Sequence, residues 1–90
     1  LMALTHNLAR FVASKNISVN CLSPGVIASD FTEETMSRDV RETALKAMLI
    51  KRFAKHDEMT GAAIFLGSND ASYMTAQTIS VNGGAHTKIR

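Results

Sequence analysis

Leu1, Leu4, Leu8, Phe11 and Val12 recur at helical spacing, while Thr5, His6, Asn7, Arg10 and Ser14 fill the polar positions between them. That rhythm predicts an amphipathic helix running from the first residue. It should end near Ser14-Lys15-Asn16, because Asn tolerates the left-handed conformation that closes helices. The period then changes. Ile17 to Leu22 is short and rich in β-branched residues, which predicts a strand. Ser23-Pro24 should end it, since proline has no N–H to give a ladder. From Thr32 to about Ile50 the pattern is helical again, as one helix or two short ones. Val40, Ala44, Ala47 and Met48 share one face there, and Arg38, Asp39, Arg41, Glu42 and Lys46 take the others.

Lys51 to Lys55 reads as a connector. Asp57 or His56 can cap a further helix, Glu58 to Leu66, which Gly67 closes. Apolar residues surround that helix (Met59, Ala62, Ala63, Ile64, Phe65, Leu66), so it is expected to be largely buried. Ser68-Asn69-Asp70 is a turn-rich loop, Gln77 to Asn82 a last strand, and Ala85 to Arg90 a polar tail. Strand, helices, strand is the order of a βαβ crossover and places the chain in the α/β class. A parallel pair of strands is marginal alone and needs cover on both faces. The pattern asks for more sheet than it contains. The helical rhythm also opens at Leu1 without a capping residue, which predicts an incomplete domain.

Composition changes this picture little. Hydrophobic residues make up 46% of the 90 and charged residues 20%, a balance that belongs to folded rather than disordered chains. The net charge is +2, with Lys and Arg scattered, so neither a nucleic acid nor a membrane is expected as partner. A single Cys excludes an internal disulfide and fits a reducing compartment, with a cytoplasmic location as the expectation. Cys21 itself reads as a small buried hydrophobe. His6, His56 and His86 lie far apart, and no metal site is expected. No apolar run approaches the roughly 20 residues of a membrane span.

The chemistry follows the first strand. Pro24-Gly25 taken alone is an ordinary strand-ending turn. A strand that opens through Pro-Gly into a polar loop also delivers backbone to the carboxyl edge of a sheet, where open α/β folds bind ligands. The register Asn20, Pro24, Gly25, Ile27, Ser29 resembles the short-chain dehydrogenases/reductases. So does the order of Arg52-Phe53, Asp57-Glu58-Met59, Ala63 to Leu66, Ser72 to Gln77 and Val81-Asn82-Gly83-Gly84. The resemblance runs from about Leu1 to Gly84 and concerns the C-terminal part of the family. Asn82, where many members carry Asp, is common among relatives of the beta-ketoacyl-(acyl carrier protein) reductases.

This resemblance implies a Rossmann-type doubly wound parallel sheet. Residues 1–90 would form its C-terminal portion as a single partial domain, in the order helix, strand, lid helices, helix, strand. It implies NAD or NADP as cofactor, with the nicotinamide held by the loop Pro24, Gly25, Val26, Ile27 and Ser29. The residue matching Ile27 offers its N–H and C=O to the carboxamide, and the hydroxyl matching Ser29 adds a hydrogen bond. Gly25 lets the ring approach the main chain closely. Ser29 replaces the family's usual Thr, keeping the hydroxyl but losing the methyl that restricts χ1. Ala76 stands where Gly is usual and is strained if that position needs a positive φ. The segment from Thr32 corresponds to the region that covers substrate, which makes Phe31 and Met36 expected contacts for an apolar substrate portion.

The family's Tyr, Lys and Ser of hydride transfer have no counterpart here. Four positions after Tyr73 stands Gln77, and no glycine-rich phosphate loop occurs. These groups are expected upstream of Leu1, and Tyr73 is expected to pack near the last strand. Glu33-Glu34 reads as favouring a helix N-terminus. Asn82-Gly83 fits either a type I′ turn or a glycine-bearing strand exit. The resemblance thus implies a portion of an NAD(P)-dependent oxidoreductase acting on a small carbonyl or secondary alcohol. The whole protein would be a homo-oligomer, and these residues alone inactive and poorly folded. The alternative is a non-catalytic truncated relative that serves as a dimerisation module through Leu1, Leu4, Leu8 and Phe11.

Overall fold

The computed structural model describes residues 1–85, so the expected tail lies outside the described residues from His86 onward. Helix α1 spans Met2–Val12 and tightens into a 3₁₀ turn at Ala13–Lys15. Asn16 closes it at φ 59°, donating its N–H to the Ala13 carbonyl, as its side chain predicts. The buried stripe of α1 is not the leucine face. Thr5 and Ala9 face inward, whereas Leu4, Leu8 and Phe11 are exposed. Thr5 can be buried because its hydroxyl donates to the Leu1 carbonyl at 2.9 Å.

Strand β1 (Cys21–Pro24) pairs in parallel with β2 (Thr78–Val81), Cys21 opposite Thr78 and Pro24 opposite Val81. The first strand therefore begins four residues later than expected and includes its proline. Side chains explain the late start. Ala76 N–H donates to the Val19 carbonyl at 2.8 Å, but Val19 N–H goes to the Thr75 hydroxyl. Asn20 donates to the Met74 carbonyl and accepts from Gln77 N–H, replacing ladder bonds with its own amide. Alternation explains the proline. Cys21 and Gly25 donate their N–H groups to the carbonyls of Gln77 and Val81, both at 2.9 Å. The nitrogen of Pro24 is thereby turned to the opposite edge, where β2 requires nothing of it.

Between the strands the helical segment is two helices, α2 (Asp30–Thr35) and α3 (Arg38–Lys46). Each has its own N-cap: Ser29 accepts from Thr32 N–H, and Ser37 from Val40 N–H. Arg41 joins them to the connector, reaching Glu33 at 3.2 Å with its guanidinium 4.8 Å from the centre of the Phe53 ring. Helix α4 spans His56–Leu66, two residues longer at its start than expected, with Lys55 at the N-cap. Gly67 ends it at φ −89°, so no left-handed cap is involved.

The expectation of a largely buried α4 is overturned. Met59 is buried, but Ile64 is 65% exposed and Phe65 39%. Tyr73 is fully exposed rather than packed near the last strand. The buried apolar residues are Ala9, Cys21, Met48, Phe53, Met59 and Ala71, a small core around the two strands. A two-stranded sheet offers too little surface to cover both α1 and α4. After β2 the chain turns through Gly83 and Gly84, φ 63° and 81°, closed by Ala85 N–H on the Asn82 carbonyl. The glycine pair, not Asn82-Gly83, holds the central positions of this turn. The Gly83 carbonyl accepts from Leu49 and Ile50, both at 2.9 Å, and pins the exit of α3 to the exit of β2.

Candidate functional site

The carboxyl ends of β1 and β2 lie side by side, and residues 25–29 leave from there. Gly25 must be glycine for a reason the sequence did not suggest. A Cβ on it would stand 2.7 Å from the Asn82 Cα, so the neighbouring strand's exit, not a ligand ring, occupies the space of its missing side chain. The loop then runs beside Ala54. Ala54 N–H donates to the Val26 carbonyl at 2.9 Å, and Ala28 N–H to the Ala54 carbonyl at 2.8 Å. Ile27 sits opposite Ala54 in this parallel bridge.

Bridge geometry decides what Ile27 can offer. In extended backbone the N–H and C=O of one residue share a side, and those of its neighbours take the other. Because Val26 and Ala28 face Ala54, both polar groups of Ile27 face away from it. Its carbonyl accepts from Thr32 Oγ1 at 2.9 Å. Its N–H has no partner among the described residues. Thr32 Oγ1 also stands 3.0 Å from Ser29 Oγ. The single Thr32 proton is committed to the Ile27 carbonyl, so Ser29 must be the donor in that contact. Ser29 also accepts from Thr32 N–H at 3.2 Å. One acceptor position remains on Ser29 and one on the Ile27 carbonyl. The loop edge therefore presents one donor and two acceptors.

The other expected residues are spread around this edge. Pro24 ends β1 and Val26 spends its carbonyl on Ala54. Phe31 lies in the first turn of α2, 75% exposed, and Met36 is half-buried at the break before α3. A cavity of about 100 Å³ at the strand ends is lined by Gly25, Val26, Met48, Met59, Asn82 and Gly83, among others. At that volume it is too small for a dinucleotide. Ile27, Ser29, Phe31 and Met36 are not in its wall.

Two elements of the site went unread in the sequence. Thr32 carries the polarity of the edge, and its spacing from Ser29, N-cap to third helical residue, was the available signal. The other is the clamp on the cavity rim, where Arg52 grips Glu58 through two bonds of 2.7 and 2.8 Å. Glu58 also accepts from Lys55 N–H at 2.8 Å. The Arg52 bonds, then that backbone bond, hold its carboxyl down at about 2. Among the described residues no three metal-ligating side chains are grouped, and no helix is long and apolar enough to cross a membrane.

Parallel strands joined through helices, with a polar loop at their carboxyl ends, define a piece of a Rossmann-type α/β protein. A family model described as enoyl-(acyl carrier protein) reductase matches residues 1–86. The chain is 43% identical over 86 residues to dehydrogenase/reductase SDR family member 4 of Bos taurus, covering 94% of this chain and 31% of that protein. It is 40% identical over 86 residues to the 3-oxoacyl-[acyl-carrier-protein] reductase FabG of Staphylococcus epidermidis, covering 96% and 35%. Among solved structures, YwfH, an NADPH-dependent reductase involved in bacilysin biosynthesis, superposes with TM-score 0.83 at 37% identity. That match covers 99% of this chain and 37% of YwfH. The chain belongs to the short-chain dehydrogenase/reductase family, as its C-terminal motifs predicted. It spans about a third of the length of the curated relatives it matches.

Proposed function

We propose that this chain supplies the nicotinamide side of an NAD(P)-dependent oxidoreductase that interconverts a small carbonyl compound and its secondary alcohol. The observation that carries this reading is the polarity of the loop edge. A primary carboxamide has one acceptor oxygen and two N–H donors. The edge has the complement: Ile27 N–H as donor, the Ile27 carbonyl and Ser29 Oγ as acceptors. The residues present thus fit the group. A bound nicotinamide would give or take the hydride. Ile27 and Ser29 hold its amide and fix which ring face meets the substrate. Pro24, Gly25 and Val26 keep the loop at the sheet edge, and α2 and α3 cover it, with Phe31 and Met36 against an apolar portion of the substrate. The match to an NADPH-dependent reductase supports the cofactor class.

The test is hydrogen–deuterium exchange on the full protein. Addition of NADPH or NADH is expected to slow exchange in a peptide covering residues 25–31, with Ile27 the responsive amide. Unchanged exchange there at saturating cofactor rules the reading out. A second reading, a non-catalytic dimerisation module, has one observation in its favour: Leu1, Leu4, Leu8 and Phe11 form an exposed apolar face on α1.

A further inference from the structure

We propose that Thr32 is a positioning residue for the cofactor's carboxamide, acting through the direction of its hydroxyl proton. The inference rests on the nicotinamide reading above. A serine hydroxyl without restraint can point its proton at a ligand or away from it, and so can meet an amide's oxygen or its nitrogen alike. Ser29 is denied that choice. Thr32 Oγ1 donates to the Ile27 carbonyl at 2.9 Å and receives Ser29's proton at 3.0 Å. The relay Ser29 to Thr32 to Ile27 leaves Ser29 an acceptor only. It therefore takes an amide N–H and rejects a bare carbonyl oxygen, and this fixes one of the two orientations of the amide. Turning the amide over would place two acceptors face to face at Ser29 and two donors at Ile27.

Thr32 sits at the third helical position of α2, where its backbone N–H, not its hydroxyl, supplies the cap to Ser29. Thr32→Val keeps that N–H and the side chain's shape while freeing the Ser29 proton. In the full protein, Thr32→Val is expected to raise KM for the natural nicotinamide cofactor roughly three- to tenfold, the worth of about one hydrogen bond. The 3-acetylpyridine analogue, whose methyl ketone has no N–H to donate, should change less than about twofold, since it never used the acceptor on Ser29. The preference for amide over ketone should therefore collapse in Thr32→Val and return in Thr32→Ser. A merely structural role moves both cofactors together. Equal changes for the two, or no change in their ratio, would overturn the proposal. If exchange at residues 25–31 still responds to cofactor in that case, the nicotinamide reading stands and only the role of Thr32 falls.

Discussion

Ala76 adopts φ 62°, in the left-handed region that costs a residue with a Cβ about 1–2 kcal/mol. Its N–H is held there by the Val19 carbonyl, so the turn cannot relax. Ala76→Gly should raise stability by about 0.5–1 kcal/mol, the strain relieved less the extra freedom glycine has when unfolded. A midpoint of urea unfolding that falls in this variant would contradict the assignment. Glu58 behaves differently. Its folded pKa, about 2, lies below the ordinary 4.5, so its contribution is complete above the unfolded value and fades as pH falls toward the folded one. The stability gap between the native protein and Glu58→Gln should be widest near about pH 6 and narrow on titration toward about pH 3. A gap that widens on acidification would show that the Arg52 clamp is not its source. Single residues were legible only in places. The family pattern flagged position 76, and Asn16 announced its own left-handed cap. Gly25 was noticed for the wrong reason, because its close neighbour Asn82 stands 57 positions away in the chain, beyond any local pattern.

At the scale of elements, α2 and α3 form a unit clasped by Arg41, which bridges Glu33 and the Phe53 ring. The contact is half-exposed and modest in strength, which under the proposed function would leave the pair free to open as a cover. Trypsin cleavage within Arg38 to Lys46 of the full protein should slow when cofactor is added, and an unchanged rate would argue against a cover. The helices were read from their period, and Asn16, which acts locally, was read as a cap. The caps Ser29 and Ser37 that set the starts of α2 and α3, and Lys55 at the start of α4, were not. Strand ends were missed as well. Asn20 diverts hydrogen bonds into its own side chain, and the tolerance of Pro24 depends on which edge its nitrogen faces. Burial of α4 was misjudged because composition shows that a helix is apolar, not whether a partner is there to cover it.

The whole molecule is open for its length. Its radius of gyration is 15.7 Å, against about 12 Å for a compact chain of this size. Leu1, Phe11, Phe31, Leu49 and Ile64 are all more than half exposed. Apolar burial on this scale cannot offset the conformational entropy of ordering the backbone. The 90 residues alone are therefore expected to show no cooperative thermal transition and no measurable affinity for NADPH by calorimetry. A sharp melt whose midpoint rises with protein concentration would instead favour the dimerisation module. The fold class was legible because the βαβ order and the loop motif are both contained in the chain. The size of the core was not, since it depends on surfaces that these elements do not supply.

The alternation that turns the Pro24 nitrogen away from β2 has a consequence for whatever lies on the strand's other side. Any neighbour that zips onto that side finds a hydrogen to share at Leu22 and none at Pro24. Pairing along that edge would lose one tooth at Pro24, whose carbonyl can still accept. A proline so placed marks where hydrogen-bond donation along that edge ends, three residues before Ile27.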